Sequence, residues 1–174
     1  MKALFDPETP PARMPTIGGK ALNLLRLQRE GHRVPDWVAV PAECFVEAIG
    51  TSGAGARIQQ RLAQLDEHNA AAIAAEVQCL ILDMPLPDWL SAAIAKADVI
   101  AKHPAGYVSV RSSAADEDGA THSFAGIHES FLYVRGQDSV ARHVRRVWAS
   151  GYQQRALLYR QSNGLTLHPV PMAV

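Results

Sequence analysis

The chain has 174 residues with 17 basic and 17 acidic side chains, so its formal net charge is zero. That length suffices for one compact domain with a real core, and a mean hydropathy near zero suits a globular protein. Balanced charge gives no general drive toward nucleic acid or an anionic membrane, so any anion site must be local.

In chain order, Pro7, Pro10, Pro11 and Pro15 predict an irregular lead-in over residues 1–16. That stretch has no apolar h-region, so no signal peptide is expected. Ile17-Gly18-Gly19-Lys20 opens a helix through Glu30, with Leu22, Leu25 and Leu27 supplying its buried side and Gly31 as a natural C-cap. Val34-Pro35 turns the chain into a short strand over 37–40. Pro41 then starts a helix to about Ile49, where its missing N–H costs nothing. Residues 51–55 read as a loop, and apolar periodicity predicts helices over 56–65, 69–83 and 87–102. The apolar stretch 70–84 is too short for a bilayer span and contains Glu76 and Gln78, so it reads as a core helix.

Gly106 precedes a strand that runs to Val110. A long polar loop follows, then a strand over 131–134 ended by Gly136. Val140, Val144, Val147 and Trp148 share one face of a helix from about Ser139. A further helix over 152–161 ends at Asn163-Gly164. Residues 170–174 look like a strand only just begun, which predicts the front part of a longer protein. Helices interleaved with strands predict an α/β or α+β fold. Cys44 and Cys79 have no companion Cys or His at ligand spacing, which excludes a zinc site. One disulfide between them stays open, and a reducing cytoplasm is the simpler reading.

Chemistry concentrates in a few places. Gly18-Gly19-Lys20 sits where a helix N-terminus offers N–H groups and a positive dipole end to an anion. It is not a Walker A loop, because Met14 and Ala21 stand where that motif needs a glycine and a hydroxyl. The alternative is a flexible turn with a solvated lysine. Arg111, at a strand end, offers a planar fork suited to phosphate oxygens, the alternative being an ion pair with Asp116, Glu117 or Asp118. Ser123 to Gly126, followed by Ser130, could wrap phosphates with N–H groups and hydroxyls, or form an ordinary wide hairpin. The loop between the strands has about eighteen residues, a length usually functional or disordered. The three adjacent carboxylates read more readily as a solvated loop tip than as a Mg²⁺ site. His122 and His128 have no partner at metal or triad spacing. Arg142, His143, Arg145 and Arg146 form a basic helix face, expected to be solvated or a subunit contact.

Three blocks, GGKALNLLRL…G…VP at 18–35, VSVRSSAADEDGATHSFAGIHESFLYV at 108–134 and VWASGYQQRALLYRQSNGL at 147–165, change this weighing. In that order and spacing they resemble the N-terminal ATP-grasp region of the phosphoenolpyruvate synthase and pyruvate phosphate dikinase family. Rifampicin phosphotransferase and the glucan/water dikinases share that region. The resemblance implies a partial ATP-grasp fold over 17–174, an N-terminal subdomain with a helical insertion. It also implies that Lys20 reaches the nucleotide phosphates, Arg111 binds the transferring phosphates, and the loop through Ser123 and Gly126 closes over them. Ser130 falls where the family usually has a phosphate- or Mg-side threonine, and Phe131 follows near the nucleotide. Such enzymes pass phosphoryl from ATP to a histidine on a separate domain and on to pyruvate or another acceptor. The partners implied are ATP, Mg²⁺ ligated mainly outside this chain, and phosphohistidine and acceptor domains.

The usual RSSATAEDLP becomes RSSAADEDGA and the usual FAGQ becomes FAGI, departures that leave Arg111 and Gly126 in place. Phosphoenolpyruvate synthase is the leading expectation, and an antibiotic phosphotransferase the runner-up. The reading from another class is a stand-alone, non-catalytic nucleotide-binding or interaction module. An exposed apolar face is expected where a second subdomain would pack, and it would invite homo-oligomers.

Overall fold

The computed structural model describes residues 4–8, 16–101, 106–113 and 129–174. Among the described residues six helices precede strand β1 (Tyr107–Arg111): α1 (Gly18–Arg29), α2 (Ala42–Ser52), α3 (Ala54–Leu62), α4 (Ala70–Asp83), α5 (Asp88–Lys96) and α6 (Asp98–Ala101). Strands β1 and β2 (Ser130–Arg135) form an antiparallel pair, and α7 (Gln137–Ser150) and α8 (Gln154–Ser162) follow. The fold is therefore α+β: a mostly helical body with a small antiparallel sheet.

α1 ends as the sequence predicts. Gly31 takes φ +82°, its N–H bonds the Gln28 carbonyl, and the His32 N–H reaches back to Leu27, which closes a Schellman turn. The buried stripe of α1 differs from expectation. Ile17, Ala21 and Leu25 are buried, whereas Leu22 and Leu27 are 46% and 41% exposed. Positions 17, 21 and 25 recur every four residues and stack on one face, from which 27 points away. Together with Phe5 and Ala39 they form a small core of their own, with Trp37 packed against it.

The main core joins α2, α3, α4, α5, α7 and α8. Its aromatic centre is Phe45, with Trp148 and Tyr152 at ring distances of 5.2 and 6.1 Å. The Trp148 indole N–H donates to the Met172 carbonyl at 3.0 Å, which satisfies the polar atom that burial would otherwise strand. Cys44 is buried and Cys79 is exposed, and no disulfide joins them. Among the described residues no single helix is long and apolar enough to cross a membrane. The bent pair α4 and α5 passes on length and composition, but Ile73, Val77, Ile81, Leu90 and Ile94 bury it in the core.

Other element boundaries move for local reasons. α2 continues through Thr51 and Ser52, whose hydroxyls bond back to the carbonyls of Glu47 and Ile49. Gly53, at φ +71°, then breaks it from α3. The helix expected over 87–102 is split, because Ala97 takes an extended conformation between α5 and α6. The segments expected as strands at 37–40 and 170–174 appear as single antiparallel bridges. Phe5 pairs Ala39, and Ala173 pairs Ser113.

β2 carries one extra residue relative to β1: Val108 faces Val134, but Val110 faces Phe131. Strict alternation would send Phe131 and Val134 to opposite faces. The bulge turns both inward against the core and leaves Leu132 and Tyr133 between them, 64% and 80% exposed. Tyr133 absorbs the irregularity at φ +56°.

Candidate functional site

The first turn of α1 is seated on the residues that leave β1. Gly18 takes φ +74°, and a Cβ there would lie 1.7 Å from the Ser113 carbonyl oxygen, so only glycine allows this approach. Ser113 Oγ accepts the Ala21 N–H at 3.1 Å, which ties the first turn of α1 to the residues that leave β1. Lys20 Nζ donates to the Ser112 carbonyl at 3.1 Å and to Ser112 Oγ at 3.3 Å. Ser112 and Ser113 are themselves 1% and 5% exposed. No acidic residue lies in the first turn of α1, so its own side chains do not neutralise the positive end of the helix dipole.

Arg111, the last residue of β1, is exposed and pairs with Ser130, the first residue of β2. Lys20 is thus anchored one residue beyond Arg111, and Ser130 lies directly across from it. The structure brings these three together from two distant sequence blocks.

Phe131, half-buried opposite Val110, forms the next layer. The Arg146 guanidinium lies 4.2 Å from its ring centroid and the His143 ring 4.8 Å away. His143 Nδ1 donates to the Ser139 carbonyl at 2.7 Å, since a carbonyl can only accept, and this leaves Nε2 facing Arg146 at 3.3 Å. The basic face of α7 is therefore partly engaged: Arg146 covers Phe131, and Arg145 reaches the Met84 carbonyl at 3.1 Å.

Ser123 and Gly126 lie outside the described residues, as do Asp116, Glu117, Asp118, His122 and His128. Among the described residues, no group of three or more His, Cys, Asp or Glu side chains could hold a metal ion.

The start of β2 has a support that sequence reading missed. The Glu129 N–H donates to Ser150 Oγ at 3.2 Å, and Gln153 Nε2 donates to the Glu129 carboxylate at 2.8 Å. The α7–α8 junction thereby fixes where Ser130 begins. The available signal was the third sequence block, which contains both Ser150 and Gln153.

The marked titration shifts belong elsewhere. The Tyr152 hydroxyl accepts the Val170 N–H at 3.1 Å and shares a hydrogen bond with His168 Nδ1 at 2.9 Å. Burial pushes the Tyr152 pKa up and the His168 pKa down from 6.5. Both groups are occupied with holding the 168–170 segment.

A family model described as the pyruvate phosphate dikinase AMP/ATP-binding domain matches residues 14–174. A rifampicin phosphotransferase of a Streptomyces species is 35% identical over 168 residues, covering 94% of this chain and 19% of the relative. A phosphoenolpyruvate synthase of Neisseria meningitidis is 38% identical over 159 residues, covering 85% and 20%. A probable phosphoenolpyruvate synthase of Methanothermobacter thermautotrophicus is 33% identical over 165 residues, covering 90% and 24%. The chain thus spans about a fifth of the length of these curated relatives.

Proposed function

The chain belongs to the family of the pyruvate phosphate dikinase AMP/ATP-binding domain, and on that premise we propose that it forms the phosphate half of the ATP site in a dikinase-type phosphotransferase. The observation that carries the proposal is the seating of α1 on Ser112 and Ser113, which sets Lys20 beside the strand end bearing Arg111. Two cations beside a helix start are suited to a polyphosphate, and the seating of α1 puts Lys20 next to the strand end that carries Arg111.

In this reading Arg111 grips phosphate oxygens with its planar fork, while Lys20 adds a point charge held in place by Ser112. Phosphoryl transfer through a loose transition state depends on positioning and charge neutralisation, which is what such residues supply. Ser130 would add a hydroxyl to the phosphate side, and Phe131, stiffened by Arg146 and His143, would border the nucleotide. Ser123 and Gly126 would belong to the loop that closes over the phosphates. The described residues supply no magnesium site, so the proposal places Mg²⁺ ligation elsewhere in the enzyme.

Residues 17–174 would then be the N-terminal part of an ATP-grasp domain, working in the cytoplasm with separate phosphohistidine and acceptor domains. The acceptor proposed first is pyruvate, as in phosphoenolpyruvate synthase, and a rifampicin-like antibiotic second. Titration of ATP–Mg²⁺ into the chain by calorimetry, beside Arg111→Ala, tests the reading. Binding that the substitution weakens at least about tenfold is expected for a charged hydrogen-bond partner. Equal binding by both proteins would overturn the role given to Arg111.

A further inference from the structure

Glu129, the residue before Ser130, is anchored at two points. Its N–H donates to Ser150 Oγ at 3.2 Å, and that oxygen is an acceptor because its own proton goes to the Val147 carbonyl at 2.7 Å. Ser150 is 1% exposed, so water does not compete for the site. At the side chain, Gln153 Nε2 donates to the Glu129 carboxylate at 2.8 Å. The α7–α8 junction thus holds the backbone and the charge of one residue together.

Gln153 is oriented for this contact. Arg155 Nε donates to Gln153 Oε1 at 3.1 Å. A guanidinium only donates and a carboxylate only accepts, so the amide has one orientation, with its oxygen toward Arg155 and its NH2 toward Glu129. Gln153 also stands at the N-cap of α8, where a side chain ordinarily accepts from the first turn, yet it makes no capping bond. Its amide serves the start of β2 in place of its own helix.

The consequence falls on the face that carries Arg111. Arg111 and Ser130 pair across the two strands and both are exposed. Glu129 is the acid that adjoins this pair, and Gln153 holds its carboxylate at the α7–α8 junction. Released, the same carboxylate would be free to pair with Arg111 and would repel a bound phosphate. We infer that Gln153, oriented by Arg155, is a positioning residue for the phosphate site: it sets Ser130 in line with Arg111 and keeps the Glu129 charge off their face. The inference deepens the nucleotide reading and rests on it.

The test exchanges the pair. Gln153→Glu sets two carboxylates against each other, while the dipole of α8 favours an acid at its start, so the helix itself is expected to persist. Adding Glu129→Gln to Gln153→Glu reverses donor and acceptor, restores the bond and returns the net charge to that of the native chain. ATP–Mg²⁺ affinity is measured by calorimetry and amide exchange at residue 129 by NMR, with far-UV circular dichroism confirming that each protein is folded. Gln153→Glu should weaken binding at least about fivefold and speed exchange at residue 129 by a similar factor, and the exchanged pair should restore both. Native affinity in Gln153→Glu, beside a weakened Arg111→Ala, overturns the inference and leaves the nucleotide reading standing. Weakened binding that the exchanged pair does not restore overturns it as well, by assigning the loss to a carboxylate at position 153. No binding by the native chain, or equal binding by Arg111→Ala, overturns the nucleotide reading and the inference with it.

Discussion

Gly18 and Ser113 touch so closely that a Cβ on the glycine would lie 1.7 Å from the serine carbonyl oxygen. No rotamer can relieve that clash, because the obstacle is backbone. Gly18→Ala is therefore expected to lift the first turn of α1 off Ser112 and Ser113. Overpacking and the left-handed φ together should cost about 3 kcal/mol in urea unfolding. Gly31→Ala, with the same sign of φ but open space around it, should cost about 1 kcal/mol. Equal losses at the two positions would argue that backbone freedom, not the contact, sets the requirement.

Lys20→Met retains the aliphatic stem of the side chain and removes the charge. It should reduce ATP affinity about tenfold and cost about 1–3 kcal/mol of stability, since the charged donor is lost and the buried Ser112 carbonyl and hydroxyl lose it as a partner. Ser112→Ala should lower affinity by a smaller factor, because one of the two oxygens that hold Nζ survives. Calorimetry beside urea titration separates the two effects. A Lys20→Met protein that binds normally would assign the lysine to structure alone.

Tyr133 holds φ +56° at the β2 bulge while 80% exposed. Its edge contact with Tyr107, at 6.3 Å, is a solvated aromatic pair worth about 0.5 kcal/mol. The left-handed backbone costs a tyrosine about 1–2 kcal/mol and suits asparagine better. Tyr133→Asn should therefore raise stability by about 0.5–1 kcal/mol, read from the urea midpoint at unchanged slope. A loss of stability would mean that the tyrosine pair outweighs the backbone strain.

His168 gives a pH signature. Burial depresses its pKa below 6.5, so as pH falls through 6.5 the unfolded chain takes up a proton that the folded chain resists. Stability should be flat with respect to this group above pH 7 and decline as pH drops below 6.5. Denaturant titrations of the native chain and His168→Gln at pH 7.5 and 5.5 isolate the contribution, with the smaller decline expected in the variant. Identical declines would place the pH dependence on other groups.

Lys20 and Arg111 stand out in the sequence as candidates, a lysine after two glycines and an arginine at a strand end, each with a structural alternative in a solvated turn or a local ion pair, and it is the resemblance that favours the phosphate reading. Their meeting was not legible, since it runs through Ser112 and Ser113, residues whose side chains give no hint of a partner so far along the chain. Among the described residues, glycine and proline signals together with periodicity located α1 to α5, α7 and α8, but misjudged the face of α1, where the small residue Ala21 is buried and the larger Leu22 and Leu27 are not. The α5–α6 break depends on one extended alanine that no pattern announces. The segments at 37–40 and 170–174 have strand composition, but a ladder needs neighbours on both sides, and pairing is a property of the fold rather than of the segment.

Lys20 and Ala21 meet Ser112 and Ser113 across 92 positions of sequence. As a polymer problem, closing such a loop depends on its length only logarithmically, so halving or doubling the intervening chain changes the closure entropy by about 0.6 kcal/mol. Closure entropy therefore sets little limit on the length between these ends, and it is the core that α2 to α5 share with α7 and α8 that holds the intervening helices. What must be kept is the pair of ends, a glycine that can lie against a carbonyl and a serine that can receive an amide.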